Sequence, residues 1–156
     1  MSKPDVLMPV KLPPLVGDRL AATFNVVKLW EEKAPETTLA RLAPDLRYIA
    51  TGAAILAEGM VYPIDATFMA RFPKLEIVSN LGVGYDNIDA RAAAGRGVIV
   101  TNTPDVLTDE TADVAFGLLL CAVRQLPQAD RYLRAGKWRE RAFPLTASLY
   151  GRTMGI

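Results

Sequence analysis

The sequence predicts an α/β domain built on a parallel, doubly wound sheet with helices on both faces. Strand-like and helix-like segments alternate from Asp5 to Thr101, which a parallel sheet with crossover helices requires. Apolar runs such as Leu75-Glu76-Ile77-Val78 are short enough to be buried strands. Two closely spaced glycines, Gly82 and Gly84, follow that run at the carboxyl end of a strand, where sheets of this class gather their ligands.

The elements follow in order. Asp5 to Val10 reads as a first strand, cut off by Pro9 and then Pro13-Pro14. A helix from about Leu15 to Thr23 leads to a second strand, Val26-Val27-Lys28-Leu29-Trp30. Glu36 to Ala43 places Leu39 and Leu42 on one helical face and stops at Pro44. Leu46 to Thr51 is the third strand and ends in Thr51-Gly52. Pro63 suits the first turn of a helix running to Phe72, with Ile64, Phe68 and Met69 facing inward. Beyond the Leu75 strand and the glycine loop, Asp89 caps a short helix on Ala92, Ala93 and Ala94 that Gly95 ends, and Val98 to Thr101 is the last strand.

The stretch Ser79 to Asp89 is the candidate binding loop. Glycines there let the backbone take positive φ and turn N–H groups outward, a concavity suited to an anion, above all a small carboxylate. Gly82 and Gly84 also fit the first two positions of G-x-G-x-x-G, but the third is Asn87, where close helix–strand packing wants glycine or alanine. A glycine pair after a strand is equally what a plain tight turn looks like. Thr51-Gly52-Ala53-Ala54 lies at the same sheet edge, and a simple connection is its blander reading. Asp86 and Asp89 read as loop anchor and helix cap rather than an acid/base pair. Arg47, Arg71 and Arg91 read as solvated faces, and Trp138 as a packing anchor.

Composition narrows the function classes. Hydrophobic residues make up 51% of the 156, charged residues 22%, and the net charge is +1. With 18 basic residues scattered among 17 acidic ones, neither nucleic acid nor an anionic membrane is expected as a partner. The longest apolar run, Val114 to Val123, is about half a membrane span, and the start of the chain lacks an apolar signal region, so a cytoplasmic location is expected. Cys121 stands alone and suits a small buried hydrophobe. There is no histidine, so the commonest general acid/base and metal ligand is absent, and no cluster has metal-ligand spacing.

After Thr101 the character changes. Asn102-Thr103-Pro104-Asp105 is turn chemistry. Thr108 is a candidate N-cap, with Asp109 and Glu110 in the first helical turn. Ala112 to Val123 is apolar almost all round and calls for burial on more than one side. Pro127 ends or kinks this helix, and an amphipathic one continues to Arg134 before Gly136. A strand begins at Gly151 to Ile156 with nothing after it, which reads as an interrupted domain.

The segments Pro73 to Ser79, Gly82-Val83-Gly84-Tyr85-Asp86, Gly97-Val98, Asn102 to Thr108, Thr111-Ala112-Asp113, Gly136-Lys137-Trp138 and Gly151 to Ile156 occur in one order. In that order and spacing the chain resembles the D-isomer-specific 2-hydroxyacid dehydrogenases, its glyoxylate/hydroxypyruvate reductase branch above all. The stretch before Pro73 matches in pattern only. The resemblance implies a flavodoxin-like substrate domain over residues 1–101, lacking its carboxyl-terminal helix. It implies that residues 102–156 start an NAD(P)-binding Rossmann domain, with its first helix, an arm and an incipient strand. By the same resemblance Val83 and Gly84 hold the substrate carboxylate through backbone N–H groups, with Leu81 close by and Thr51 and Gly52 at the same edge. Thr108 matches a position at the nicotinamide end of NAD or NADP. The complete enzyme would reduce small 2-oxo acids such as glyoxylate or hydroxypyruvate, and the 112–123 helix would pair with its copy in a homodimer. The family's main cofactor loop, its substrate arginine and its catalytic histidine with supporting carboxylate would follow Ile156, so the piece by itself is expected to be inactive. The other readings are a non-catalytic carboxylate-binding module and a dimerisation module.

Overall fold

The computed structural model describes residues 3–52 and 62–155. Five parallel strands form one sheet in the order β2-β1-β3-β4-β5, with β1 Asp5–Met8, β2 Asn25–Lys28, β3 Tyr48–Gly52, β4 Ile77–Leu81 and β5 Ile99–Thr101. The helices between them are α1 Pro14–Ala21, α2 Pro35–Leu42, α3 Ala66–Ala70 and α4 Ala90–Gly95. This is the flavodoxin-like order, with its reversal between β1 and β3.

Strand periodicity sorts the core into two layers. Leu7, Ile49 and Val78 face α2, α3 and α4 and pack with Leu39, Leu42, Phe68, Met69 and Ala93. Val6, Met8 and Ala50 face the other way, toward Val16 and Leu20 of α1 and toward Phe24 and Tyr48, whose rings meet edge to face at 5.4 Å. Three helices cover one face, while α1 is the only one packed on the other among the described residues. There Ser79, Ile99 and Thr101 are exposed, and a cavity of about 350 Å³ opens beside Leu20, Phe24, Ala50 and Leu81. Helices therefore lie on both faces, as the sequence reading requires, with α1 alone on the second among the described residues.

Several boundaries differ from the sequence reading. The second strand stops at Lys28, and Leu29–Glu31 is a 3₁₀ turn. Pro63 precedes its helix instead of opening it: Asp65 is the N-cap, accepting from the Phe68 amide at 2.7 Å. Ile64 sits in a parallel bridge with Ile88. β4 runs on through Ser79 and Asn80 to Leu81, past the point where its apolar run ends. Arg47 and Arg71 lie on the solvated surface as expected, where Arg47 pairs with Glu76 and Arg71 reaches Glu36 at 2.6 Å.

The chain divides into two compact units, Met1–Val106 and Leu107–Ile156. In the second, α5 Thr108–Arg124 and α6 Leu126–Arg134 are separated by Gln125 at φ 51, a left-handed residue that closes one helix and opens the next. Pro127 lies in the first turn of α6, so it starts a helix and does not kink α5. Among the described residues neither helix has a buried one, and Cys121 is half-buried, short of the buried position expected for it. Trp138 is likewise exposed. Tyr132 anchors the following segment, stacking edge to face on Phe143 at 5.3 Å and donating to the Arg141 carbonyl at 2.7 Å. Residues 151–155 form no strand, contrary to the sequence reading; Ile156 lies outside the described residues.

Candidate functional site

The loop from Gly82 to Asp89 leaves the carboxyl end of β4 and is tied down at both ends. At its start the backbone turns at Gly82 with φ 146, a conformation that only glycine takes without strain. The Gly82 amide donates to the Thr103 hydroxyl at 3.1 Å, and its carbonyl accepts from the Thr103 amide at 3.0 Å. At the far end the Ile64 amide donates to the Asn87 carbonyl at 2.8 Å, and the Asp89 amide to the Ile64 carbonyl at 3.0 Å. Asn87 also donates from its side chain to the Gly52 carbonyl at 3.2 Å. Asp89 caps α4 as expected, accepting from the Ala92 amide at 2.9 Å.

Between these anchors the amides of Val83 and Gly84 donate to no group among the described residues, and both residues are exposed. Unpaired N–H groups on a held loop are what a small anion needs. Contrary to expectation, Gly84 does not take positive φ; only Gly82 does. A Cβ built on Gly84 would lie 3.2 Å from an Asp86 carboxylate oxygen, so the glycine there leaves room beside the amide and is not required by the turn.

The remaining candidates divide. Leu81, half-buried, packs against the α1 layer directly before the loop. Thr51 and Gly52 are buried at the end of β3, in register with Asn80 and Leu81. A Cβ on Gly52 would come within 2.5 Å of Leu12, so this glycine admits a packed leucine and does not open a binding surface. Ala53-Ala54, the rest of that connection, lies outside the described residues. Thr108 is not a cap: Leu107 holds the N-cap position without a side-chain bond, and Thr108 is the first residue of α5.

Three residues that sequence reasoning gave no role organise the loop. Asn80 donates to the carbonyls of Gly84 at 2.9 Å and Gly82 at 3.3 Å; Asn102 donates to the carbonyl of Val83 at 2.9 Å; Thr103 pairs with Gly82 as above. The signal for Asn80 was a buried-strand position holding an amide side chain two residues before a glycine.

The loop does not fit a dinucleotide. Its third fingerprint position is the tethered Asn87, and α4 starts only at Ala90, so no helix N-terminus stands directly behind the glycines. Among the described residues no group of three His, Cys, Asp or Glu could hold a metal ion, and no helix is long and apolar enough to cross a membrane.

The profile of the D-isomer specific 2-hydroxyacid dehydrogenase catalytic domain matches residues 9–152. The chain belongs to that family. Within it, a glyoxylate reductase of Korarchaeum cryptofilum is 39% identical over 160 residues, which cover 99% of this chain and 46% of the relative. Glyoxylate/hydroxypyruvate reductase A of Arabidopsis thaliana is 36% identical over 151 residues, 97% of this chain and 46% of that protein. Among solved structures, an NADPH-dependent glyoxylate/hydroxypyruvate reductase from Sinorhizobium meliloti, in complex with NADP and malonate, is 45% identical with a TM-score of 0.70. The match covers 97% of this chain and 45% of that one. This member of the family thus spans about half the length of the curated relatives it matches.

Proposed function

We propose that this chain supplies the carboxylate-holding part of an NAD- or NADP-dependent reductase of small 2-oxo acids, glyoxylate or hydroxypyruvate. The single observation that carries the proposal is the pair of unpaired, exposed amides at Val83 and Gly84 on a loop anchored at both ends. Two oriented N–H groups match the two oxygens of a carboxylate, and binding it there would fix which end of the substrate faces the chemistry. Leu81 would flank the acid, and Thr108 would meet the nicotinamide end of the cofactor. Malonate in the S. meliloti complex, a small dicarboxylate bound by that reductase, agrees with this substrate class.

Residues 1–101 would form the substrate domain and 102–156 the opening of the cofactor domain. The half-covered sheet face supports the expectation that one further helix completes the first of these. Lacking histidine, the chain by itself should not turn over glyoxylate with NADPH. Calorimetry with glyoxylate tests the reading: saturable heat in the millimolar range, abolished by Gly84→Val, is expected. Absence of heat, or turnover by this chain, would overturn the division of roles.

A second reading rests on α5, where Val114, Phe116 and Leu118 are 62%, 56% and 64% exposed. Apolar side chains so placed on one helix favour a homodimer through residues 112–123. Association and carboxylate binding are compatible within one enzyme; association without binding would leave the chain a dimerisation module.

A further inference from the structure

We propose that Asn80 and Asn102 are positioning residues that select the amide-outward state of the Gly82–Tyr85 backbone; the inference rests on the carboxylate reading above. In a trans peptide the carbonyl of one residue and the N–H of the next point in opposite directions. Asn80 holds the Gly82 carbonyl, so the Val83 N–H faces away from Asn80; it also holds the Gly84 carbonyl, which does the same for the Tyr85 N–H. Asn102 holds the Val83 carbonyl, and the Gly84 N–H is thereby turned away from Asn102. The two side chains come from different strands' ends, β4 and the segment after β5, and together they fix three consecutive peptide planes.

Such fixing is needed because each of these planes adjoins a glycine. Rotation of a whole peptide plane meets little steric resistance beside glycine. A flipped plane would present a carbonyl oxygen, which repels a carboxylate, in place of the N–H that binds it. The direction of the Asn80 amide is itself determined: two carbonyl acceptors require Nδ2, leaving Oδ1 without a partner. Asn80 thus keeps a buried, unpaired oxygen as the consequence of aiming its donors at the loop.

Three-bond HN–Hα couplings, which follow φ and so change when the preceding peptide plane flips, test the proposal on the 156-residue chain without any ligand. In Asn102→Leu the Gly84 coupling should depart from its wild-type value, and glyoxylate affinity should fall about twofold, the effect of losing one hydrogen bond from a two-state flip that this bond biases. Asn102→Gln, which keeps a donor, should restore both. Asn80→Asp should displace the Val83 and Tyr85 couplings while sparing Gly84; if that buried substitution prevents folding, the variants at half-buried Asn102 decide. Unchanged couplings in Asn102→Leu would overturn the proposal whatever the ligand does. Wild-type couplings as predicted with no response to glyoxylate would leave the positioning intact and sink the carboxylate reading instead.

Discussion

Thr51 and Asn80 are register partners on β3 and β4, both buried on the same side of the sheet, and each keeps one side-chain oxygen without a hydrogen-bond partner among the described residues. For Asn80 the unpaired Oδ1 follows from the two bonds that Nδ2 makes to the loop. No such compensation exists for the Thr51 hydroxyl. Thr51→Val, nearly the same shape without the hydroxyl, should therefore raise stability by about 1 kcal/mol, read in urea or thermal unfolding. A loss of similar size would mean that the hydroxyl has a partner after all.

The two glycines of the loop should respond oppositely. Gly82 lies at φ 146, so Gly82→Ala should cost about 2 kcal/mol of stability. Gly84 has ordinary φ, and its added Cβ would meet only the movable end of Asp86, so Gly84→Ala should stay within about 0.5 kcal/mol of wild type. Equal melting shifts for the two would contradict the assignment of the turn to Gly82.

The Arg71 guanidinium hydrogen-bonds Glu36 at 2.6 Å and holds its carboxyl below the usual range; burial opposes the shift, and the attraction of the two charges adds to it. A lowered folded-state pKa gives stability that is present above the ordinary value near 4.5 and lost as pH falls through the folded value. The gap in unfolding midpoint between wild type and Glu36→Gln should accordingly be open at neutral pH and close on acidification. A gap that persists at low pH would assign the effect to something other than this ion pair.

For α5 the expectation is association. Light scattering should give twice the mass of one chain, and Phe116→Asp together with Leu118→Asp should return it to the monomer, since a charge in an apolar interface is costly. A wild-type monomer at micromolar concentration would remove the homodimer from the account.

The sheet was legible because strand and helix patterns alternate over its length and the strands carry the required apolar runs. Where reading failed, the determinant was non-local. Asn80 looks like a loop residue, yet it extends β4 because its side chain serves carbonyls two and four residues on. Pro63 resembles a helix start, but Ile64 is drawn into a bridge with Ile88, and the helix waits for the Asp65 cap. Gln125 in the left-handed region carries no turn signature in the sequence. In the loop the glycine pattern was legible, whereas the partners that orient it, Asn102 and Thr103, come from a segment about 20 residues away whose turn chemistry gave no hint of that service.

The most direct measurement is a ¹⁵N-edited titration of the chain with glyoxylate. The Val83 and Gly84 amide protons should shift downfield and saturate at millimolar ligand, while amides of β2 stay fixed. Saturation elsewhere with Val83 and Gly84 unmoved, or no saturable shift at all, would contradict it.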